Sequence, residues 1–414
     1  MPVAVWVITL VAWLYFVALD MHATGLPLAL TAAGFSKGWV GFLSGLMGLA
    51  AAAQRLFLAA WGDRRGHRPL LGLSLLAAIA GSCLFAAGGG PAVQVAARIL
   101  QGTSLAGVIV ATQALVAGTA PPSLRGRALA LQGLADTGGV LLGPALGVWA
   151  WQAFGSRFLF LTAAALTTLA LLATLALPRA RGEEPAGERR PAGAGGGSGP
   201  AGSPDPGAVE DGASGRQPGR PNAGPRELPH PAAVVAMGFV TGTVFGAVLN
   251  LTVLHAQATG YQAGVWLGEF AVVAMLARYG AGLLVDRGWG GLLLPAAFAV
   301  MAAGSALMMA AGTPAGAYAV AAVLAAGYGA AHTTLVARVV TRAPAERRGV
   351  AAGWLATAID LGFGLGVTAL GRILDSYSFP AMYGAMAAVS LAGAVVARLS
   401  STGPEPGPGM SRSG

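Results

Sequence analysis

Two charged turns stand out among long apolar runs. Arg55 lies eight residues before Asp63 and Arg64, and the turn continues through Arg65, Gly66, His67 and Arg68. The spacing returns at Arg278, Asp286 and Arg287, each 223 positions after its counterpart (278 − 55 = 286 − 63 = 287 − 64 = 223). A carboxylate beside guanidinium groups at a helix end can form charge-assisted pairs and accept from helix N-terminal N–H groups. Such a turn is a latch that opens when the helices part; the plainer reading is a solvated turn that only orients the chain. Arg55 and Arg278, about two turns back, would extend the network. A second pair of loops repeats at the same offset: Arg125-Gly126 after Pro121-Pro122, and Arg348-Gly349 after Pro344 (348 − 125 = 223).

A second set of polar groups sits inside the apolar runs, where a charge costs several kcal/mol or more unless it pairs, protonates or meets water. These are the carboxylates Asp20, Asp136, Glu269 and Asp360, together with Arg98, Gln101 one turn from it, and His332. Asp20 shares a helical face with Trp13, Phe16, Thr24 and Pro27. Facing a central cavity, it is able to carry a proton or bind a cation; pairing with an arginine is the structural alternative. Asp136 shares a face with Gln132, Gly139 and Gly143, a pattern that lets helices approach closely. Its counterpart Asp360 misses the repeat offset by one residue, since 136 + 223 = 359. At least one of the four carboxylates is expected to titrate in function. His332 is able to join a proton relay or simply pack against a hydroxyl or carbonyl. His255 reads as interfacial. Trp354 and Tyr328 are candidate pocket walls, and the other tryptophans, Trp39 and Trp266 among them, belong near span ends.

These residues need elements to position them, and the composition says which kind. Hydrophobic residues make up 55 % of the 414, charged residues 10 %, and mean hydropathy is +0.66. Soluble domains are nearer a quarter charged, so a soluble enzyme is excluded. The net charge of +9 does not imply nucleic-acid binding, because the basic residues cluster in short loops between apolar runs. The single cysteine, Cys83, allows neither a disulfide framework nor a thiolate metal site. There is no Walker loop, metal-spaced histidine pair or nucleophile elbow, so no catalytic activity and no cofactor is expected.

Runs of membrane-spanning length predict twelve helices, at 4–26, 39–61, 69–88, 92–118, 127–153, 158–178, 232–257, 264–285, 291–312, 315–340, 347–373 and 379–400. The first run is read as a retained helix, not a cleaved signal. Residues 179–230, rich in Gly, Pro, Arg and Glu, predict a disordered linker, and 402–414 a disordered tail. Arg64, Arg65, Arg68, Arg125, Arg127, Arg287, Arg342, Arg347 and Arg348 fall on one side of the membrane. The other side holds little beyond Lys37, Arg157, Arg372 and Asp375. The positive-inside rule then puts the arginine-rich side, both termini and the linker in the cytoplasm of a cell (inner or plasma) membrane. The expectation is an all-α membrane protein of two pseudo-symmetric six-helix bundles, 1–178 and 231–401.

Over nearly its full length the chain resembles the major facilitator superfamily. Asp63-Arg64-x-Gly66-x-Arg68 is similar to that family's loop 2–3 signature, with Ala59 at the leading Gly position and His67 at a usually basic one. Arg98-x-x-Gln101-Gly102 resembles the fourth-helix signature, and Gly139-x-x-x-Gly143-Pro144-x-x-Gly147 the fifth-helix signature of exporters that run as antiporters. The last departs at Val148 and Ala130, where the family has glycine. The resemblance implies alternating access, closure of the cytoplasmic side by the Asp63 turn and proton-relay work for Arg98, for which an ion pair with Asp20 is the plainer reading. It also implies proton-coupled efflux of small organic molecules by a monomer in the lipid bilayer. The rival expectations are a proton-coupled importer on the same fold and a membrane sensor that has lost transport; the retained intramembrane carboxylates speak against the sensor.

Overall fold

The computed structural model describes residues 1–121, 124–177, 231–343 and 348–400. The expected linker and tail lie outside the described residues. Apolar runs in lipid must satisfy their backbone polar groups internally, and helices do so. The order is α1 (Val3–Ala32), α2 (Lys37–Arg65), α3 (His67–Ala87), α4 (Pro91–Thr119) and α5 (Arg125–Leu175), then α6 (Pro231–Asn250), α7 (Thr252–Thr259), α8 (Ala263–Asp286), α9 (Gly290–Met308) and α10 (Pro314–Arg342). The last crossing pair is α11 (Arg348–Leu361), a π-helical turn (Gly362–Gly366) and α12 (Val367–Ser376), followed by α13 (Phe379–Leu399).

Eleven stretches among the described residues are long and apolar enough to cross a membrane. They make twelve spans, because α5 breaks at Gly155, where φ 80° and ψ 178° turn the chain back. A left-handed φ of that size suits a residue without a Cβ. α6 and α7 together make one crossing, and α11, the π turn and α12 make another. The second span runs beyond the expected 39–61 because Ser36 caps its start, accepting from Trp39 N at 3.1 Å, and Gly66 ends it at φ 95°.

The two sets of six repeat one another in contacts as well as in loops. On α5, a Cβ on Gly139 would strike Phe16, and one on Gly143 would lie 2.6 Å from Asp20 Cβ. In the second set the π-turn glycines take these places: Gly362 lies against Phe239 and Gly366 against Thr243. All four positions obey the 223 offset (16 + 223 = 239, 20 + 223 = 243, 139 + 223 = 362, 143 + 223 = 366). Glycines at these points let the α1–α5 and α6–α11 backbones approach to van der Waals contact.

Between the sets runs a seam of small residues. Gly38 lies against Asp375, Gly41 against Gly371, Gly45 against Gly364, and Gly48 against the backbone of Asp360. Thus α2 descends antiparallel to α12 and α11, with glycine on α2 letting the backbones come close at three successive crossings. A second contact joins Gly264 of α8 to Ala145 of α5. Both contacts begin at the arginine-poor end of the molecule, where Lys37 N–H also donates to Asp375 Oδ1 at 3.1 Å.

Candidate functional site

The seam ends inward on a charge pair. Arg55, from the middle of α2, donates to Asp360 Oδ2 through Nε at 2.9 Å and also through Nη2. The side chains are 8 % and 13 % exposed, so the pair is desolvated. It joins residues 305 positions apart, one from each set of six spans. Asp360 stands two residues before the π turn, a local widening that often marks a functional segment. Arg55 therefore does not extend the Asp63 network as the sequence reading expected; its charge goes to the opposite half.

At the arginine-rich end, Asp63 is 74 % exposed at the side chain and meets His67 Nε2 at 3.2 Å, one turn along. Arg64 is exposed, Gly66 supplies the turn, and Arg68 reaches the Leu175 carbonyl at 3.5 Å. In the second copy Asp286 ends α8 and Arg287 follows as its C-cap.

The face bearing Asp20 is buried against α5, where the sequence reading expected a cavity. Asp20 is 5 % exposed and packs on Gly143, and Thr24 Oγ1 donates to the Pro144 carbonyl at 3.2 Å. Gly147 lies against Met21, which completes the stripe Gly139, Gly143, Gly147 as the bed for α1. The side chain of Asp136 lies outside the described residues.

Arg98 is 1 % exposed, donates through Nη1 to Gln101 Oε1 at 2.8 Å and lies 6.0 Å over the Phe85 ring. Its Nε and Nη2 find no acceptor among the described residues, and no ion pair there joins it to Asp20. Beside it is a residue that the sequence reading missed. His22 is 2 % exposed, with Nδ1 at 2.8 Å from the Ala18 carbonyl and Nε2 at 3.2 Å from Ser82 Oγ. His22, Ser82, Gln101, Ser104 and Tyr15 line an internal cavity of about 10 Å³, close to the least that holds a water. Tyr15 and Ser104 bond at 2.8 Å. A lone His two residues from Asp20 was visible in the sequence, but its side-chain partner Ser82 comes from α3.

In the second set, Arg278 of α8 lies with its guanidinium carbon 5.6 Å from the centre of the Tyr328 ring. Tyr328 stacks on Phe245 at 5.2 Å, and His332 follows one turn along α10 with its ring 6.0 Å away. Tyr328 is buried, as a wall residue should be, and Trp354 is 63 % exposed. Glu269 is half-buried. His255, near the end of its span, is 6 % exposed, and its Nδ1 lies at 3.3 Å from Tyr261 OH and 3.2 Å from Tyr383 OH. Trp266, expected at a span end, is fully buried and donates to the Ala317 carbonyl at 2.9 Å.

Two six-span sets joined by a glycine seam, with polar groups buried on the facing helices, match one family by sequence. The Major Facilitator Superfamily profile matches residues 8–367. This chain belongs to the Major Facilitator Superfamily. It is a multi-pass membrane transporter, and solved superfamily structures share its fold. A bacterial homologue of the human lysosomal transporter Spinster, inward-facing and unoccupied, superposes with a TM-score of 0.70 at 14 % identity over 96 % of each chain. The inward-facing, occupied form gives 0.70 at 12 % identity over 96 % of this chain and 94 % of that one. Among curated proteins, the superfamily chain is 33 % identical over 119 residues to the efflux pump azaK of Aspergillus niger. That match spans 28 % of this chain and a quarter (25 %) of the pump's length.

Proposed function

We propose that this transporter exports small organic molecules in exchange for protons, by rocking its two six-span sets about a site between them. The arginine-rich end is assigned to the cytoplasm because positively charged short loops are retained there. On that assignment the glycine seam is a closed outer gate. One observation carries the reading. The seam's innermost described polar contact is a buried, breakable charge pair, Arg55–Asp360, between the two moving bodies. Small residues let the outer ends close tightly, and the pair gives closure a dependence on charge.

Of the intramembrane carboxylates, Asp360 is assigned the coupling proton, because its ionised form holds a group on the other half. A proton arriving there would free Arg55 and favour opening; its loss would favour closure. Asp20 is assigned a place within the first set, under Gly143, where its charge acts on α1–α5 packing. Export is favoured over import by the fifth-span glycine stripe and by the partial likeness to an efflux pump.

Everted membrane vesicles from a transporter-deficient host provide the test. Compounds found in a resistance and metabolite-export screen should accumulate in the vesicles under an imposed pH gradient and dissipate it, and Asp360→Asn should abolish both effects. Accumulation in right-side-out vesicles driven by an inward proton gradient would make the protein an importer. If no compound moves in either orientation, the transport reading fails.

A further inference from the structure

We propose that Arg278, with Tyr328, His332 and Phe245, forms a subsite for the carboxylate end of an aromatic organic anion. The proposal rests on the exporter reading above and adds its substrate class.

The inference comes from a broken symmetry. Arg55 and Arg278 are the same position of the repeat (278 − 55 = 223), each about two turns before its Asp-Arg turn. Arg55 is neutralised by Asp360. Arg278 has no such partner: among the described residues no carboxylate pairs with it, and its Nε is buried without an acceptor. Glu269, on the same helix, is nine residues earlier and so points about 180° away, about 13 Å along the axis. Asp286 lies eight residues on, at the end of α8.

What surrounds Arg278 is aromatic. Its guanidinium carbon is 5.6 Å from the centre of Tyr328, which stacks on Phe245 with the ring planes 7° apart and sits 5.7 Å from Phe270. His332 adds a second nitrogen group one turn along the same helix as Tyr328, with the ring centres 6.0 Å apart. A cation over a ring is partly compensated, but the buried Nε still lacks an acceptor. Arg278, His332 and Phe245 are all half-buried, so the cluster is reachable from outside the packed core. A planar guanidinium whose Nε–H has no acceptor matches a carboxylate in a two-point hydrogen-bonded fork. The Phe245–Tyr328 stack offers a face for the ligand's own ring. A cationic drug would meet two nitrogen groups and, among the described residues, no acid paired with Arg278.

The test uses purified full-length protein in nanodiscs, with thermal-shift titrations of salicylate, 4-hydroxybenzoate and hexanoate as anions and tetraphenylphosphonium as a cation. The aromatic anions should raise the melting temperature and tetraphenylphosphonium should not. Arg278→Gln should weaken salicylate binding by about tenfold or more, with Arg278→Lys intermediate. Phe245→Leu leaves every charge in place, so it should weaken salicylate while sparing hexanoate, and it serves if Arg278→Gln does not fold. The proposal is overturned if no anion of the set binds, or if Arg278→Gln binds salicylate like the parent. It is also overturned if Asp136→Asn copies the loss, since Arg278 would then serve an ion pair with α5 in another conformation. Anions that fail to bind while other compounds are still exported by vesicles would remove this subsite and leave the exporter reading intact.

Discussion

A buried guanidinium is tolerable only with its counter-charge, and that makes Asp360 the residue on which most depends. Breaking a buried pair by removing one partner typically costs about 3–5 kcal/mol, because the other charge stays desolvated. Asp360→Asn keeps the side-chain shape and strands Arg55, so the closed seam should lose stability relative to the open one. With Cys83→Ala as background and Thr368→Cys as reporter in the seam, labelling by an external thiol reagent should quicken markedly. Replacing both partners with apolar residues, as in Arg55→Met with Asp360→Leu, should restore slow labelling. Unchanged labelling in Asp360→Asn would reduce the pair to a packing detail. The sequence pointed to both residues as charged groups in apolar runs. It did not pair them, because local spacing carries no information about a contact 305 positions away. The same reason hid His22, whose Ser82 partner lies 60 positions on.

At the scale of elements, the seam works because glycines leave backbones free to touch. A Cβ on Gly41 would come within 2.6 Å of Gly371 Cα and 3.0 Å of the Val367 carbonyl, and neither backbone atom can yield. Overpacking of this kind costs about 1–3 kcal/mol, which is about a 5- to 150-fold loss in population of the closed state. Gly41→Val should therefore depress transport and speed seam labelling while leaving the amount of protein in the membrane unchanged. Gly268→Ala on α8, with open space around it, should behave like the parent. Equal transport in the two variants would sink the gating role of the seam. Span number was legible from hydropathy alone, including the break near Gly155 between the fifth and sixth spans, but hydropathy ended the first two spans early, at 26 and 61 against Ala32 and Arg65. The fifth-span glycines were legible as a packing face, though not their partner α1. The π turn was not. Gly362-Phe363-Gly364-Leu365-Gly366 reads as a weak helix, and only its squeeze between α2 and α6 explains why glycine is needed there.

At the scale of the whole molecule, the two sets share a backbone plan and differ in charge. Phe16 on Gly139 and Phe239 on Gly362 are one contact made twice, but Asp20 on Gly143 becomes Thr243 on Gly366. Arg55 meets an acid where Arg278 meets a ring. Duplicated packing lets the sets rock as equivalent bodies, and unequal charges give the motion a direction. That direction has meaning only once the ends are assigned to the two sides of the membrane. The described short loops and span ends give a two-to-one asymmetry: Arg64, Arg65, Arg68, Arg127, Arg287 and Arg342 at one end, against Lys37, Arg157 and Arg372 at the other. Loop arginines near span ends are retained on the cytoplasmic side, whereas acidic residues count little. The linker's seven arginines and seven acids cancel, so its position should follow the loops that flank it. Green fluorescent protein placed at 190–220 or after Gly414 should fluoresce in a bacterial host, and alkaline phosphatase at the same places should be inactive. Phosphatase placed in the turns at Gly155 or Gly260 should be active. Were the linker fusions to read outside, the seam would become the cytoplasmic gate, the Asp63 turn would face out, and export in the assays above would have to be reassigned as import.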